Sequence, residues 1–376
     1  MPDARPSPFS LRQSRLSAAL AGTGLNGLVL NPGPSLVYLT GLHFHLSERP
    51  TLALFVPNHP PILVMPELEA AKAQALPFPA QVLLFGEDPT TWPGIYHQAL
   101  LAAEMIAGAI GVEPNRLRFL ELRLLETADR QAKFISAEDS LSSLRMRKDE
   151  NEIAAMRQAV EIAQRALLAT RPVIRPGITE RAIAAELTLQ LLRAGSDPEL
   201  AFAPIVSGGP NSANPHATPS DRPLQPGDLL VIDWGASYNG YLSDLTRTFA
   251  IGPVEDELVN IARIVGQANA AGRAAARPGI AAQEVDRAAR AVIESAGYGQ
   301  FFIHRTGHGL GMEGHERPYM REGNTLLLDP GMTFTVEPGI YLPERGGVRI
   351  EDDVVITPHG AESLSDLPRE LQLVSL

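Results

Sequence analysis

The chain contains no cysteine. Disulfides, thiolate catalysis and cysteine-based zinc sites are therefore excluded, and any metal must be held by His, Asp or Glu. No run of 18 apolar residues occurs, so no transmembrane helix is expected. Positive charge is in the minority: 32 Lys and Arg stand against 43 Asp and Glu, a formal charge of −11. That balance argues against a nucleic-acid partner and against an anionic membrane surface. A bound cation would neutralise part of the excess. The opening Met1-Pro-Asp-Ala-Arg-Pro-Ser-Pro8 has neither the basic nor the apolar region of a signal peptide. The expectation is a soluble cytoplasmic protein.

At 376 residues the chain has length for roughly two domains. Residues 9–22 read as a helix ending at glycine, and 25–30 as a strand. Thr51–Val56 and Ile62–Met65 are a hairpin candidate around Asn58-His-Pro-Pro61. A strand at 81–85, a helix at 92–107, a strand at 109–113, a helix at 117–127 and a strand at 132–135 complete the first part. Strands alternating with helices imply a small α/β domain. The boundary is expected at Arg145-Met-Arg-Lys-Asp149, dividing the chain into 1–145 and 146–376. Asp149 and Glu152 fit a capping box for a long helix through Thr170.

The second part contains a duplication. Arg175-Pro-Gly-Ile178 recurs 102 positions on, at Arg277-Pro-Gly-Ile280 (175 to 277). Ala194-Gly195 recurs with the same offset at Ala296-Gly297, and Leu224-Gln-Pro-Gly227 recurs as Leu328-Asp-Pro-Gly331. One such repeat suggests a fused α+β unit with a pseudo-two-fold axis, its chemistry lying where the copies meet. In this register Asp233 matches Glu337, acid with acid.

The stretch Leu229-Leu-Val-Ile-Asp-Trp234 is apolar enough for a buried strand, apart from Asp233. Tyr238-Asn-Gly-Tyr241 then signals a type I′ hairpin, because Asn-Gly suits its positive φ angles. If Tyr238 pairs with Tyr241, Asp233 faces Thr246 directly and Asp244 diagonally. Diagonal Cβ atoms lie ~7–8 Å apart, so the two carboxylates converge. A divalent cation between them would relieve their repulsion. The bland alternative is that Asp244 pairs with Arg247.

Three more segments place polar groups among apolar ones. His304-Arg-Thr-Gly-His308-Gly-Leu-Gly-Met-Glu-Gly-His315 is too rich in glycine for a packed helix. Its alternative is a flexible surface loop. Thr333-Phe-Thr-Val-Glu337 and Val348-Arg-Ile-Glu351 each end an apolar run on an acid. Together these segments offer Asp233, Asp244, His308, Glu337 and Glu351. Four carboxylates and one imidazole exceed a mononuclear zinc set and suit two divalent cations, which can share a hydroxide nucleophile and polarise a carbonyl. His216 and His315 remain free for proton transfer or for holding an oxyanion.

The order of these five residues resembles the ligand signature of the M24 "pita-bread" metallopeptidases. Ser207-Gly-Gly-Pro-Asn-Ser-Ala-Asn-Pro-His216, Gly307-His-Gly-Leu-Gly311, His315-Glu316, Val336-Glu-Pro-Gly339 and Arg349-Ile-Glu-Asp352 are similar to the prolidase and aminopeptidase P branch. The resemblance covers essentially the whole chain. It implies an α+β fold, a duplicated pita-bread catalytic domain preceded by a smaller α/β N-terminal domain. It implies that Asp233 binds one metal, that His308 and Glu337 bind the other, and that Asp244 and Glu351 bridge both. Glu337 doubles as general base toward a bridging water. His216 and His315 stabilise the scissile peptide and shuttle protons, while His304 and Arg349 shape the site.

The implied reaction is hydrolysis of the Xaa-Pro bond of dipeptides, or of short peptides in an aminopeptidase P. The implied cofactor is a pair of divalent ions, manganese foremost and cobalt or zinc as alternatives. A homodimer is implied as well. Phe202, His304 and Tyr341 are candidates to line the prolyl subsite. Arg49, in the loop His45-Leu-Ser-Glu-Arg49-Pro50, is the candidate to bind a dipeptide's carboxylate. Its alternative is a surface ion pair with Glu48 or another neighbour. Arg317 and Arg321 are further candidates. Some family members carry an arginine just after the proline equivalent to Pro318, where this chain has Tyr319. A non-catalytic binding module of the same fold is the competing class, disfavoured by the intact five residues.

Overall fold

The computed structural model describes residues 7–375. The opening segment through residue 6, read above for a signal peptide, lies outside them. The chain forms two compact units, Met1–Arg145 and Met146–Leu376.

The first unit is built on a six-stranded mixed sheet. Its order is Gln81–Phe85, Ile62–Pro66, Leu52–Phe55, Gly27–Leu30, Ala109–Val112, Lys133–Ser136. The hairpin pairs Leu52 with Val64 and Leu54 with Ile62, and Leu52–Phe55 also runs antiparallel to Gly27–Leu30. The other neighbours run parallel, joined by helices. Val29, Leu52, Val64, Tyr96 and Leu100 make its core, each at most 1% exposed. The helix expected over 92–107 spans Trp92–Ala102. It stops there because Glu104 and Ala107 adopt φ of 53° and 55°, which an α-helix cannot hold. Two short helices went unread, Pro34–Thr40 and Glu138–Arg145.

The second unit repeats one motif. The helices Glu150–Thr170 and Glu180–Ala194 precede the antiparallel sheet Ile205–Gly208, Leu229–Trp234, Leu245–Ile251. The helices Asp256–Ala275 and Ala282–Ser295 precede Gly307–Gly309, Thr333–Val336 and Asp352–Thr357. Asp149 opens the first helix with a full capping box, accepting from the amides of Asn151 and Glu152 while Glu152 accepts from the Asp149 amide.

The duplication extends to single hydrogen bonds. Gly177 N donates to Leu224 O and Gly279 N to Leu328 O, both at 2.8 Å. Both glycines need positive φ, 84° and 81°, which explains why Arg-Pro-Gly-Ile recurs. The two sheets meet at a bridge between Thr246 and Glu351, where Glu351 N donates to Thr246 O at 3.1 Å. Helices cover the outer faces with two apolar clusters, one around Trp234 and Phe249 and one around Ile261, Ile293 and Ile350. The inner faces are left to polar groups. No helix among the described residues is long and apolar enough to cross a membrane.

Candidate metal centre

The hairpin after Trp234 has the register that Asn-Gly dictates. Asn239 and Gly240 adopt φ of 52° and 77°, and Tyr238 pairs with Tyr241. Asp233 stands opposite Thr246. Where the chain crosses back, a Cβ on Gly235 would lie 1.9 Å from Ser243 O. Only glycine lets the two backbones approach so closely, and that approach brings Asp244 beside Asp233. Gly307 has the same role one residue before His308, where a Cβ would lie 1.8 Å from Thr335 O.

These devices open a cavity of about 620 Å³ between the duplicated sheets, lined by Asp233, Asp244, His308, Glu337 and Glu351. His216, His304, His315, Arg349 and Phe202 line it too. Donor atoms of Asp244, His308 and Glu351 lie within 4.8 Å of one another. His308 Nε2 is 3.7 Å from Asp244 Oδ2 and 3.3 Å from Glu337 Oε1. The His308 ring faces Gly309 O through Nδ1 at 3.1 Å. A proton on Nδ1 serves that contact and leaves the Nε2 lone pair pointing at the carboxylates.

The surroundings orient each oxygen. Arg349 is 3% exposed and gives its guanidinium to Asp233 Oδ2 at 2.7 Å, Thr246 Oγ1 at 3.1 Å, Tyr341 Oη at 3.0 Å and Pro215 O at 3.2 Å. Thr246 Oγ1 donates onward to Glu351 Oε2 at 2.6 Å. Thr335 Oγ1 donates to Glu337 Oε1 at 3.3 Å. The Asp244 amide donates to Asp353 Oδ2 at 3.0 Å.

Even so, Asp233 Oδ1 and Asp244 Oδ1 are buried without a hydrogen-bond partner. Burial pushes all four carboxyls up, Asp244 and Glu351 well above the carboxylate range and Glu337 to about 7. For Asp244 and Glu351 the neighbouring carboxylates push the same way. Burial also holds His308 neutral, and His304 is brought to about 4 by the same cause. A neutral imidazole, crowded carboxylates and orphaned oxygens aimed at one space form a donor set that fits divalent cations.

Two residues depart from the sequence reading. Tyr341 is not in the wall: its ring is 3% exposed and its hydroxyl lies 2.9 Å from His304 Nε2. It fixes the imidazole from behind, because alternation along Gly339–Leu342 turns it away from the cavity. Arg49 belongs to the first unit, where Nε and Nη2 bond Glu87 at 2.9 and 3.1 Å and Nη1 bonds Glu48 at 2.5 Å. That is the surface ion pair given above as its alternative. Arg247 likewise pairs with Asp352 at 2.8 Å rather than with Asp244.

Some contributors escaped the sequence reading. Thr246 was placed opposite Asp233 without being given a task. Ala201, Ile205 and Arg305 line the cavity. Arg305 lies inside the His-Gly run, which was the one available signal.

Residues 154–358 match the family described as Metallopeptidase family M24, and residues 12–147 match the Creatinase/Prolidase N-terminal domain. A probable dipeptidase of Mycobacterium tuberculosis is 39% identical over 373 residues, 97% of this chain and 96% of that protein. An Xaa-Pro dipeptidase of Lactobacillus delbrueckii subsp. lactis is 33% identical, covering 96% of this chain and 98% of its own. The crystal structure of a recombinant prolidase from Thermococcus sibiricus superposes with a TM-score of 0.91 at 32% identity, over 97% of this chain and 99% of that one.

Proposed function

The chain belongs to metallopeptidase family M24, and on that premise we propose that it is a metal-dependent Xaa-Pro dipeptidase. The observation that carries this reading is the convergence of five donor residues, with orphaned carboxylate oxygens, on a cavity of small-substrate size. Asp233, Asp244, His308, Glu337 and Glu351 would hold two divalent cations. When bound, such cations supply Lewis acidity toward the scissile carbonyl and make water a nucleophile at neutral pH. The oxygen-rich donor set favours manganese over zinc.

The chain's own groups do the rest. Arg349 fixes Asp233 and Thr246 fixes Glu351, so neither carboxylate must reorganise during the reaction. Glu337, with its carboxyl near neutrality, can take up a proton at Oε2 and release it again at physiological pH. His315 Nδ1 faces Arg305 Nη2 at 3.4 Å, which leaves Nε2–H to donate to the developing oxyanion. His216, on the opposite rim, can supply the proton that the prolyl nitrogen must gain on leaving. That nitrogen carries no N–H in the substrate, so the site needs no acceptor for one. Phe202, Ala201 and Ile205 give the prolyl ring an apolar wall, and His304, locked to Tyr341, closes it. The protein acts in the cytoplasm as a homodimer.

The test is hydrolysis of Ala-Pro beside Ala-Pro-Ala by chelator-treated protein, with manganese, cobalt or zinc restored separately. Metal-dependent cleavage of the dipeptide in preference supports the proposal. Preference for the tripeptide makes the protein an aminopeptidase P, and cleavage of neither with any metal overturns the assignment.

A further inference from the structure

The cavity contains two arginines, and only one is spoken for. Arg349 is buried and its guanidinium is spent on Asp233, Thr246, Tyr341 and a main-chain carbonyl. Arg305 is half-buried in the cavity wall. Its guanidinium stacks over the Tyr319 ring, 4.5 Å from the centroid, and Nη2 reaches His315 Nδ1 at 3.4 Å. Among the described residues no carboxylate pairs with it. A guanidinium is charged at every accessible pH and presents a flat fork suited to a carboxylate. Held by an aromatic face and left without an anion, it is one half of an ion pair.

Its location says what the other half is. Arg305 is close enough to the centre to draw the Glu337 carboxyl down, against the burial that raises it. It is therefore within one substrate length of the reacting carbonyl. An Xaa-Pro dipeptide carries one anionic group, the prolyl carboxylate, a few bonds beyond the bond to be cut. In a longer peptide that position is a neutral amide.

We infer that Arg305 binds the C-terminal carboxylate of the substrate and thereby selects dipeptides over longer Xaa-Pro peptides. This rests on the Xaa-Pro hydrolysis proposed above. Tyr319 fixes the plane of the fork in advance, so little side-chain freedom is lost on binding. Arg305 is a specificity residue that touches the substrate away from the reacting atoms.

The experiment compares kcat/KM for Ala-Pro with that for Ala-Pro-amide, which lacks the charge, in the metal-loaded wild type, Arg305→Ala and Arg305→Lys. The wild type should prefer the free acid. In Arg305→Ala the acid-to-amide ratio should fall by roughly 10- to 100-fold, the range of a charge-assisted hydrogen-bonded pair, chiefly through KM. Arg305→Lys should recover part of the ratio by charge alone. Inhibition by free proline should weaken in Arg305→Ala, while inhibition by prolinamide should not follow it.

A purely structural role, through Tyr319 and His315, would lower both substrates together and leave the ratio unchanged, which overturns the inference. A wild type that cleaves the amide or Ala-Pro-Ala better than Ala-Pro also overturns it, while Xaa-Pro hydrolysis stands. A wild type that cleaves none of them removes the proposed function and this inference with it.

Discussion

Stripped of metal, the protein should become less stable as pH rises through neutrality, because its central carboxylates are crowded and dry. Glu337 permits a number. Burial moves its carboxyl from the ordinary 4.5 to about 7, even though Arg349 pulls the other way. The folded state thus keeps a proton that the unfolded chain has released. Below about pH 4.5 the group is neutral in both states and costs nothing. Between 4.5 and 7 folding must retain that proton, and above 7 the folded state bears the charge, with the loss complete. At 1.36 kcal/mol per unit the loss is roughly 3 kcal/mol, trimmed toward 2 by the residual wetting of the side chain, which is 15% exposed. Asp244 and Glu351 are pushed in the same direction and deepen the fall.

The assay is urea unfolding of chelator-treated wild type and Glu337→Gln at pH 5 and pH 8. The variant should match the wild type at the lower pH and exceed it by about 2–3 kcal/mol at the higher. Saturating manganese should reverse the wild-type trend, since cations bind the deprotonated donors. A metal-free wild type more stable at pH 8 than at pH 5 would refute the reasoning, as would a variant with the wild-type pH slope.

Three further outcomes follow from single contacts. Thr246→Val removes the hydroxyl that links Arg349 to Glu351; metal affinity should fall about 10- to 100-fold by titration calorimetry, with the fold intact by circular dichroism. Gly235→Ala forces a methyl onto Ser243 O; the backbone shift should cost about 1–3 kcal/mol in a denaturant melt and separate Asp233 from Asp244, abolishing metal binding. Asp149→Ala deletes the cap of the Glu150–Thr170 helix and should cost about 1 kcal/mol while leaving kcat/KM for Ala-Pro at the wild-type value.

Much of the centre could be read from residue order because its geometry is local. Asn239-Gly240 sets the hairpin turn through positive φ, and the turn sets which residue faces Asp233. Strand alternation then leaves little freedom in where Asp244 points. The Arg-Pro-Gly-Ile repeat announces the duplication because its glycine occupies a conformation other residues resist. From those facts the sequence alone determines the two-part organisation, the repeated half-unit and the five donor residues.

What residue order left open depends on contacts between segments a hundred residues apart. Arg349 and Asp233 meet only after the two sheets join at Thr246 and Glu351. Arg49 and Arg305 look equally available as letters, yet one is consumed by Glu87 and the other lies uncompensated in the cavity wall. Tyr341 sits beside the site in sequence terms but behind His304 in space. Turn and strand preferences act over a few residues and are written in the chain. Which charge finds which partner is settled when distant surfaces are buried against one another, and only the tertiary structure decides that.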